Sequence, residues 1–163
     1  MKKNLTELVF IMDRSGSMAG LESDTIGGFN GMLAKQKKEE GDALVTTVLF
    51  DDGFEVLHDR MDIKTVKPIT SRDYYVRGCT ALLDAVGKAI MMIKQREKAT
   101  SKKERAGQVL FVITTDGLEN ASKEFTYEKI KKMIEKQTEK QGWKFLFLGA
   151  NIDAAAEAAK VGI

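Results

Sequence analysis

Oxygen-bearing side chains on alternate positions follow the first apolar run of the chain. Asp13, Ser15 and Ser17 come directly after the unbroken apolar run at residues 8–12. Such a run suits a strand buried on both faces, and in open parallel sheets ligands bind outside the carboxyl ends of the strands. One carboxylate and two hydroxyls favour Mg²⁺, Mn²⁺ or Ca²⁺ over zinc. The alternative is an ordinary turn that caps the next helix, since Asp, Ser and Gly are common turn formers.

Two later segments bring further oxygen ligands to the same region. A second apolar run, at residues 109–113, is followed by Asp116 in a Thr-Thr-Asp-Gly sequence. We therefore expect Asp116 at the carboxyl end of a strand that lies beside Asp13. Thr80 directly precedes an amphipathic helical stretch, so a loop next to the helix N-terminus can present its hydroxyl. The predicted cluster thus contains two carboxylates and three hydroxyls.

These motifs, in this order, resemble the metal-ion-dependent adhesion site of von Willebrand factor A domains. They are Asp-x-Ser-x-Ser at 13–17, Gly-x-Thr at 78–80 and Thr-Asp-Gly at 115–117, and the resemblance covers nearly the whole chain. It implies that Ser15 and Ser17 bind the divalent ion directly and that Thr80 joins them in the ligand-bound form. It also implies that Asp13 and Asp116 act largely through water or by changing between direct and water-mediated contact.

The resemblance gives the ion the role of a bridge between proteins. With neutral hydroxyls as direct ligands, the ion keeps much of its positive charge and one open position, which an Asp or Glu of a partner protein can fill. Mg²⁺ keeps waters readily, so exchange of one water for a carboxylate requires little rearrangement. The resemblance therefore implies a non-enzymatic, metal-dependent protein-interaction module of the bacterial intracellular type.

One position departs from the family's pattern. Cys79 stands where the family often has a second glycine. Gly78 alone then supplies the backbone freedom before Thr80. We expect Cys79 to be a small buried residue.

Strand and helix patterns alternate along the chain, which is typical of a mostly parallel sheet between helices. We predict an α/β fold of the doubly wound, three-layer, Rossmann-like kind, with one antiparallel edge strand. Strands are predicted near residues 7–12, 44–50, 54–59, 108–114 and 143–149. The Asp-Asp-Gly sequence at 51–53 predicts a tight hairpin, which makes the third strand antiparallel and places it at an edge.

Apolar residues at helical spacing predict two helices directly after the ligand loops. The stripe residues are Ile26, Phe29 and Leu33 in the first helix and Leu82, Val86, Ala89, Ile90 and Ile93 in the second. We expect Asp24 to cap the first helix. The glycines at 27, 28 and 31 cost stability there, so we expect close packing around them. A third helix is predicted at about 126–140 and a fourth at 153–160.

Length and composition indicate a single domain over residues 1–163. The 43% of hydrophobic residues is ordinary for a globular protein, and one cysteine excludes an intrachain disulfide. The first apolar run is too short for a signal peptide or a membrane span, so we expect a cytoplasmic protein without a membrane partner. A net charge of +2 gives no reason to expect nucleic acid. We interpret the basic stretch at 94–105 as a solvated helix end and loop.

The family usually adds a sixth strand and a closing helix after the element at 153–160. The resemblance therefore implies a domain truncated at its carboxyl end, or a minimal variant. If the domain is truncated, the edge beside the strand at 143–149 is open, and a second copy can pair there to form a homodimer.

Other function classes fit the motifs less well. Haloacid-dehalogenase-like phosphohydrolases also place an aspartate after the first strand and bind Mg²⁺, but they need a second acidic residue where Ser15 stands, for proton transfer. The glycine patterns of dinucleotide-binding and Walker-type sites are absent from the sequence. His58, the single histidine, lies on the predicted edge strand, away from the serines. A metal-free structural domain is a further alternative, against which the complete set of five ligands argues.

Overall fold

Five strands and three α-helices form the part of the chain that the computed structural model describes, residues 2–116, 119–149 and 159. The strands are β1 Lys2–Asp13, β2 Asp42–Phe50, β3 Phe54–Asp62, β4 Ala106–Thr115 and β5 Lys144–Gly149. The helices are α1 Glu22–Lys38, α2 Leu82–Lys98 and α3 Tyr127–Gln141. All five predicted strands and the first three predicted helices are confirmed. The predicted helix at 153–160 lies outside the described residues, except for residue 159.

The strands form one sheet in the order β3-β2-β1-β4-β5. β1 is parallel to both β2 and β4, and β4 is parallel to β5. β3 is antiparallel to β2 and lies at the edge of the sheet, as the hairpin signal predicts. The sequence expectation of a mostly parallel α/β sheet with one antiparallel edge strand is therefore confirmed.

The central position of β1 explains its unbroken apolar run. Leu8, Phe10 and Met12 belong to the apolar core on the α1 side of the sheet. Val9 and Ile11 belong to the core on the opposite side, which α2 and α3 cover. Because helices cover both faces of the sheet, each residue of the apolar run at 8–12 is buried, whichever face it points to.

The start of α1 differs from the sequence expectation. The helix begins at Glu22, and Leu21 occupies the N-cap position, so Asp24 is the third residue of the helix and not its cap. Gly20 has a φ of +89°, which turns the chain into the helix earlier than the capping pattern suggests. The expectation of close packing around the glycines of α1 is also wrong, because a Cβ atom at Gly27, Gly28 or Gly31 would have nothing within 4 Å.

Within the described residues, no helix has the length and apolar character that crossing a membrane requires.

Candidate metal centre

The candidate site lies where the carboxyl ends of β1 and β4 meet at the centre of the sheet. Asp13 is the last residue of β1, Thr115 is the last residue of β4, and Asp116 follows directly. β1 lies between β2 and β4 in the sheet, so the chain leaves β1 toward β2 on one side of it and later adds β4 on its other side. This is a topological switch point, the place where open α/β sheets form a ligand-binding crevice.

The Asp13 carboxylate is held by one donor from the loop after β1 and one from the end of β4. Its Oδ1 accepts the backbone N–H of Ser15 at 2.8 Å, and its Oδ2 accepts the hydroxyl of Thr115 at 2.8 Å. The buried phenol of Tyr74 donates to the backbone carbonyl of Asp13. Asp13 has no exposed surface. These contacts give the carboxylate one fixed orientation.

Three hydroxyl oxygens form a connected group beside this carboxylate. Ser15 Oγ lies 2.9 Å from Ser17 Oγ, and it accepts a hydrogen bond from Thr80 Oγ1 at 2.8 Å. Adjacent ligands of an octahedral ion with bonds of roughly 2.0 to 2.1 Å are about 2.9 Å apart. Ser15 and Thr80 are buried, whereas Ser17 is exposed, so the group opens to solvent on the Ser17 side.

The negative charge of Asp116 acts on the Asp13 carboxylate. Burial raises the pKa of Asp13, and although hydrogen bonds from Ser15 and Thr115 oppose this shift, the negative charge of Asp116 adds to it. Asp116 is itself only 6% exposed. The structure therefore brings Asp116 within electrostatic reach of Asp13, and a divalent cation between them would relieve the repulsion.

The loop that carries Thr80 runs beside the loop that carries Ser15 and Ser17. The N–H of Arg77 donates to the carbonyl of Arg14 at 2.7 Å, and the N–H of Gly16 donates to the carbonyl of Gly78 at 3.0 Å. Gly78 has a φ of +71°, a conformation that other residues rarely adopt, so the sequence prediction for this glycine is confirmed. The prediction for Cys79 is wrong, because this residue is exposed. The loop lies at the surface, where no core packs against the thiol.

A polar segment after β4 completes the support of Thr80. The backbone N–H of Thr80 donates to Asn120 Oδ1 at 2.9 Å. The carbonyl of Thr80 accepts the N–H groups of Asn120 and Ala121 at 2.9 and 3.0 Å. Sequence reasoning did not identify Asn120, whose loop has no periodicity that would single it out. It also passed over Thr115, although a hydroxyl at a strand end directly before an aspartate is a usable signal.

The donor set fits a hard divalent cation. Three neutral hydroxyls and two carboxylates supply oxygen only, and the hydroxyl spacing matches octahedral ligation. Across the described ranges, 2–116 and 119–149, no three His, Cys, Asp or Glu side chains are grouped to hold a metal ion. His58 lies on β3, where its Nδ1 is 2.8 Å from Thr47 Oγ1 and its ring stacks on Phe29.

No protein-family model matches the sequence, and no curated protein matches it. The fold, however, is similar to solved structures of von Willebrand factor A domain proteins. Manganese-loaded TRAP protein of Plasmodium vivax matches 98% of this chain with a TM-score of 0.62 and 15% identity. Proximal thread matrix protein 1 of the mussel byssus matches 97% with a TM-score of 0.60 and 16% identity. BatB of Bacteroides thetaiotaomicron matches 88% with a TM-score of 0.51 and 18% identity.

The matched regions are parts of longer chains. They cover 63% of the TRAP chain, 39% of the mussel protein and 66% of BatB. At 15 to 18% identity the likeness concerns the fold. The chain has the fold of von Willebrand factor A domains, the family that its ligand motifs resemble.

Proposed function

We propose that this protein is a metal-dependent interaction module that binds an Asp or Glu side chain of a partner protein. The divalent cation, Mg²⁺ or Mn²⁺ with Ca²⁺ as the remaining candidate, would be held by Asp13, Ser15, Ser17, Thr80 and Asp116. The observation that carries this proposal is the hydrogen-bonded group of three hydroxyls from two separate loops beside a buried carboxylate. Such a group has the oxygen spacing and the chemical type that a hard cation needs.

The residue types determine what the site can do. The hydroxyls of Ser15, Ser17 and Thr80 are neutral, so they compensate little of a cation's charge. Asp13 already accepts one hydrogen bond on each oxygen, which suits a contact through water more than direct ligation. The bound cation would supply an electrophilic position that accepts a carboxylate oxygen. The exposed Ser17 side is the direction from which a partner can approach.

The proposal contains no catalytic step. Haloacid-dehalogenase-like phosphohydrolases need a second acidic residue two positions after the first aspartate for proton transfer, but position 15 is a serine, and His58 lies on the edge strand. Two of the similar solved structures support an interaction role, since one is a thread matrix protein and another is loaded with manganese. These properties are transferred to this chain only as part of the proposal.

Metal binding is tested first, by thermal unfolding with added Mg²⁺ or Mn²⁺ at constant ionic strength. A ligand that binds only the native state raises its melting temperature. We expect this rise in the wild type and its loss in the double variant Ser15→Ala with Ser17→Ala. The matched control replaces two exposed serines elsewhere, Ser23→Ala with Ser71→Ala, and should keep the full rise. An equal response of both double variants would contradict the assignment of the ligands, and the absence of any rise in the wild type would favour a metal-free structural domain.

Carboxylate binding is tested next, by heteronuclear NMR with N-acetylglutamate amide. The isosteric control is N-acetylglutamine amide, which lacks the charge. We expect shifts at residues 15–19 and 77–81 that require both the metal and the carboxylate. Metal binding without any carboxylate-dependent shift would leave a metal site that has no role in partner recognition.

A further inference from the structure

An ionic network borders the candidate metal centre on the side of the β2–β3 hairpin. Its central residue is Asp51, which follows β2 and is 5% exposed. Its Oδ2 accepts a hydrogen bond from Arg77 Nε at 3.1 Å, and its Oδ1 accepts the N–H of Gly53 at 2.8 Å. Its carbonyl accepts the N–H of Ala81 at 2.8 Å. The hairpin tip and the Thr80 loop are therefore tied together at Asp51.

The acidic side chains on this side of the centre already have donors. Asp52 Oδ1 accepts the backbone N–H of Cys79 at 3.3 Å. Glu55 pairs with the buried guanidinium of Arg14. Asp51 also has Arg14 Nε at 3.9 Å, in addition to its bond with Arg77. These carboxylates are engaged within the chain.

Arg77 differs from its neighbours because it keeps donors available. Its side chain is 53% exposed, whereas that of Arg14 is 2% exposed. Only Nε has a partner, and neither terminal nitrogen of Arg77 is hydrogen-bonded to another residue of the described ranges. Arg77 stands three residues before Thr80, which places the two Cα atoms within about 10 Å of each other.

We infer that Arg77 binds a second carboxylate of the partner, so that the recognised motif is a pair of acidic side chains. One carboxylate binds the metal ion and the other binds the terminal nitrogens of Arg77; this inference rests on the proposed function. A guanidinium presents parallel donors that match a carboxylate, which a lysine cannot do.

The fixed Nε contact makes Arg77 a suitable hydrogen-bond donor for such a partner. Asp51 holds the guanidinium in place before binding, so less conformational freedom is lost when the partner arrives. A single carboxylate on a metal ion distinguishes poorly between acidic partners, because every Asp and Glu offers the same group. A second contact at a defined distance adds selectivity.

The experiment compares acetylated, amidated pentapeptides that carry one aspartate or two in a glycine background. The second aspartate stands one, two or three positions after the first. Affinities are measured by NMR titration at saturating Mg²⁺, and the readout is the ratio of the two-acid to the one-acid affinity. A two-acid peptide gains a statistical factor of about two without any second contact, because either acid can bind the metal. We expect at least one two-acid peptide to exceed this, with a ratio of about three to ten.

Variants separate direct recognition from damage to the loop. Arg77→Gln should reduce the ratio to the statistical value, and Arg77→Lys should give an intermediate ratio. The matched control is Arg72→Gln, which removes the same charge from an exposed position of the same loop and should leave the ratio unchanged. Distortion of the Thr80 loop would weaken both kinds of peptide alike and would not change the ratio.

The two proposals can fail separately. If the one-acid peptide binds in a Mg²⁺-dependent manner but no two-acid peptide exceeds the statistical ratio, the inference about Arg77 is overturned and the proposed function stands. A ratio that stays above the statistical value in the Arg77→Gln variant also overturns the inference about Arg77. If no peptide binds in a Mg²⁺-dependent manner, both proposals fail.

Discussion

The two helices that follow the ligand loops have the same length but are held in different ways. α1 and α2 each contain 17 residues, and each has an aspartate as its third residue and a glycine as its sixth. α1 buries three residues, Thr25, Phe29 and Leu33, whereas α2 buries nine. Similar local sequences therefore have different surroundings, and these surroundings decide what each aspartate and each glycine does.

The first turn of α2 organises the loop that follows Asp116. The carboxylate of Asp84 accepts three backbone N–H groups, from Lys123 at 2.8 Å, Glu124 at 3.0 Å and Phe125 at 2.9 Å. Burial alone would raise the pKa of Asp84, but these three bonds outweigh it and hold the pKa below its ordinary value. The same loop carries Asn120, which binds Thr80. The Thr80 side of the candidate metal centre is therefore anchored through α2.

The corresponding residues of α1 have no such role. Asp24 and Gly27 are exposed, and a Cβ atom at Gly27 would have nothing within 4 Å. A partly open cleft with an apolar lining, to which Phe29 and Met32 contribute, lies between α1 and the sheet. The helix that follows Ser15 and Ser17 is thus held by few buried side chains. We infer that the stability of the site depends more on α2 than on α1.

The largest expected effect is the loss of the Asp84 carboxylate. Asp84→Ala leaves three N–H groups without their acceptor and should lower the free energy of unfolding by about 2 to 4 kcal/mol. The matched change in α1, Asp24→Ala, removes only a favourable interaction with the helix dipole and should cost about 0.3 to 1 kcal/mol. Urea denaturation of both variants measures the difference. Equal losses would contradict the contrast between the helices.

The pH dependence of the same variants provides a second readout. Because the pKa of folded Asp84 lies below the ordinary value of 3.8, its contribution is fully present above that value and is lost as the pH falls through the folded pKa. The Asp84→Ala variant should therefore lose less stability than the wild type on acidification below about pH 4. Parallel pH profiles would indicate that the carboxylate contributes no such linkage.

The next largest effect is expected at the glycine of α2. A Cβ atom at Gly87 would lie 2.6 Å from the ring of Phe125, so Gly87→Ala forces the ring and its loop to move. We expect a loss of about 1 to 3 kcal/mol, since overpacking outweighs the higher helix propensity of alanine. Thermal unfolding measures the loss. The combination with Phe125→Leu should recover part of the lost stability. A Gly87→Ala variant more stable than the wild type would show that the Phe125 loop moves away at little cost.

The smallest effect, of opposite sign, is expected at the equivalent glycine of α1. Gly27→Ala meets no neighbouring atom and should stabilise the protein by about 0.5 to 1 kcal/mol, because alanine has the higher helix propensity and restricts the unfolded chain. The same thermal unfolding measurement applies. A destabilised Gly27→Ala variant would mean that α1 is packed more tightly than the structure indicates.

Much of the sheet and of the candidate ligand set follows from local sequence. The apolar runs before Asp13 and Asp116 predict buried strands because both faces of a central parallel strand are covered, so nearly every position must be apolar. The Gly-x-Thr sequence before α2 is equally local. Sequence reasoning placed the cap of α1 wrongly, however, since the turn at Gly20 starts the helix before Asp24.

The hydrogen bonds that support the site cannot be predicted from local sequence. Asn120 binds Thr80 across 40 positions, and Thr115 binds Asp13 across 102. Asp51 and Arg77 are 26 positions apart. A polar residue in an irregular loop has the same appearance in the sequence whether or not a distant partner meets it. These residues were found only when the strands brought their loops together.

The order of apolar runs, turns and oxygen-bearing residues in the sequence was enough to determine the sheet and its antiparallel edge and to indicate candidate ligands for a hard cation, because each of these depends on neighbours along the chain. Tertiary structure alone decided that Asp84 and Gly87 are locked in place while Asp24 and Gly27 face open space, and that Arg77 keeps donors free beside the site. The physical reason is that burial and hydrogen bonding depend on which distant segment lies opposite a residue, and packing of the helices on the two faces of the sheet determines that segment.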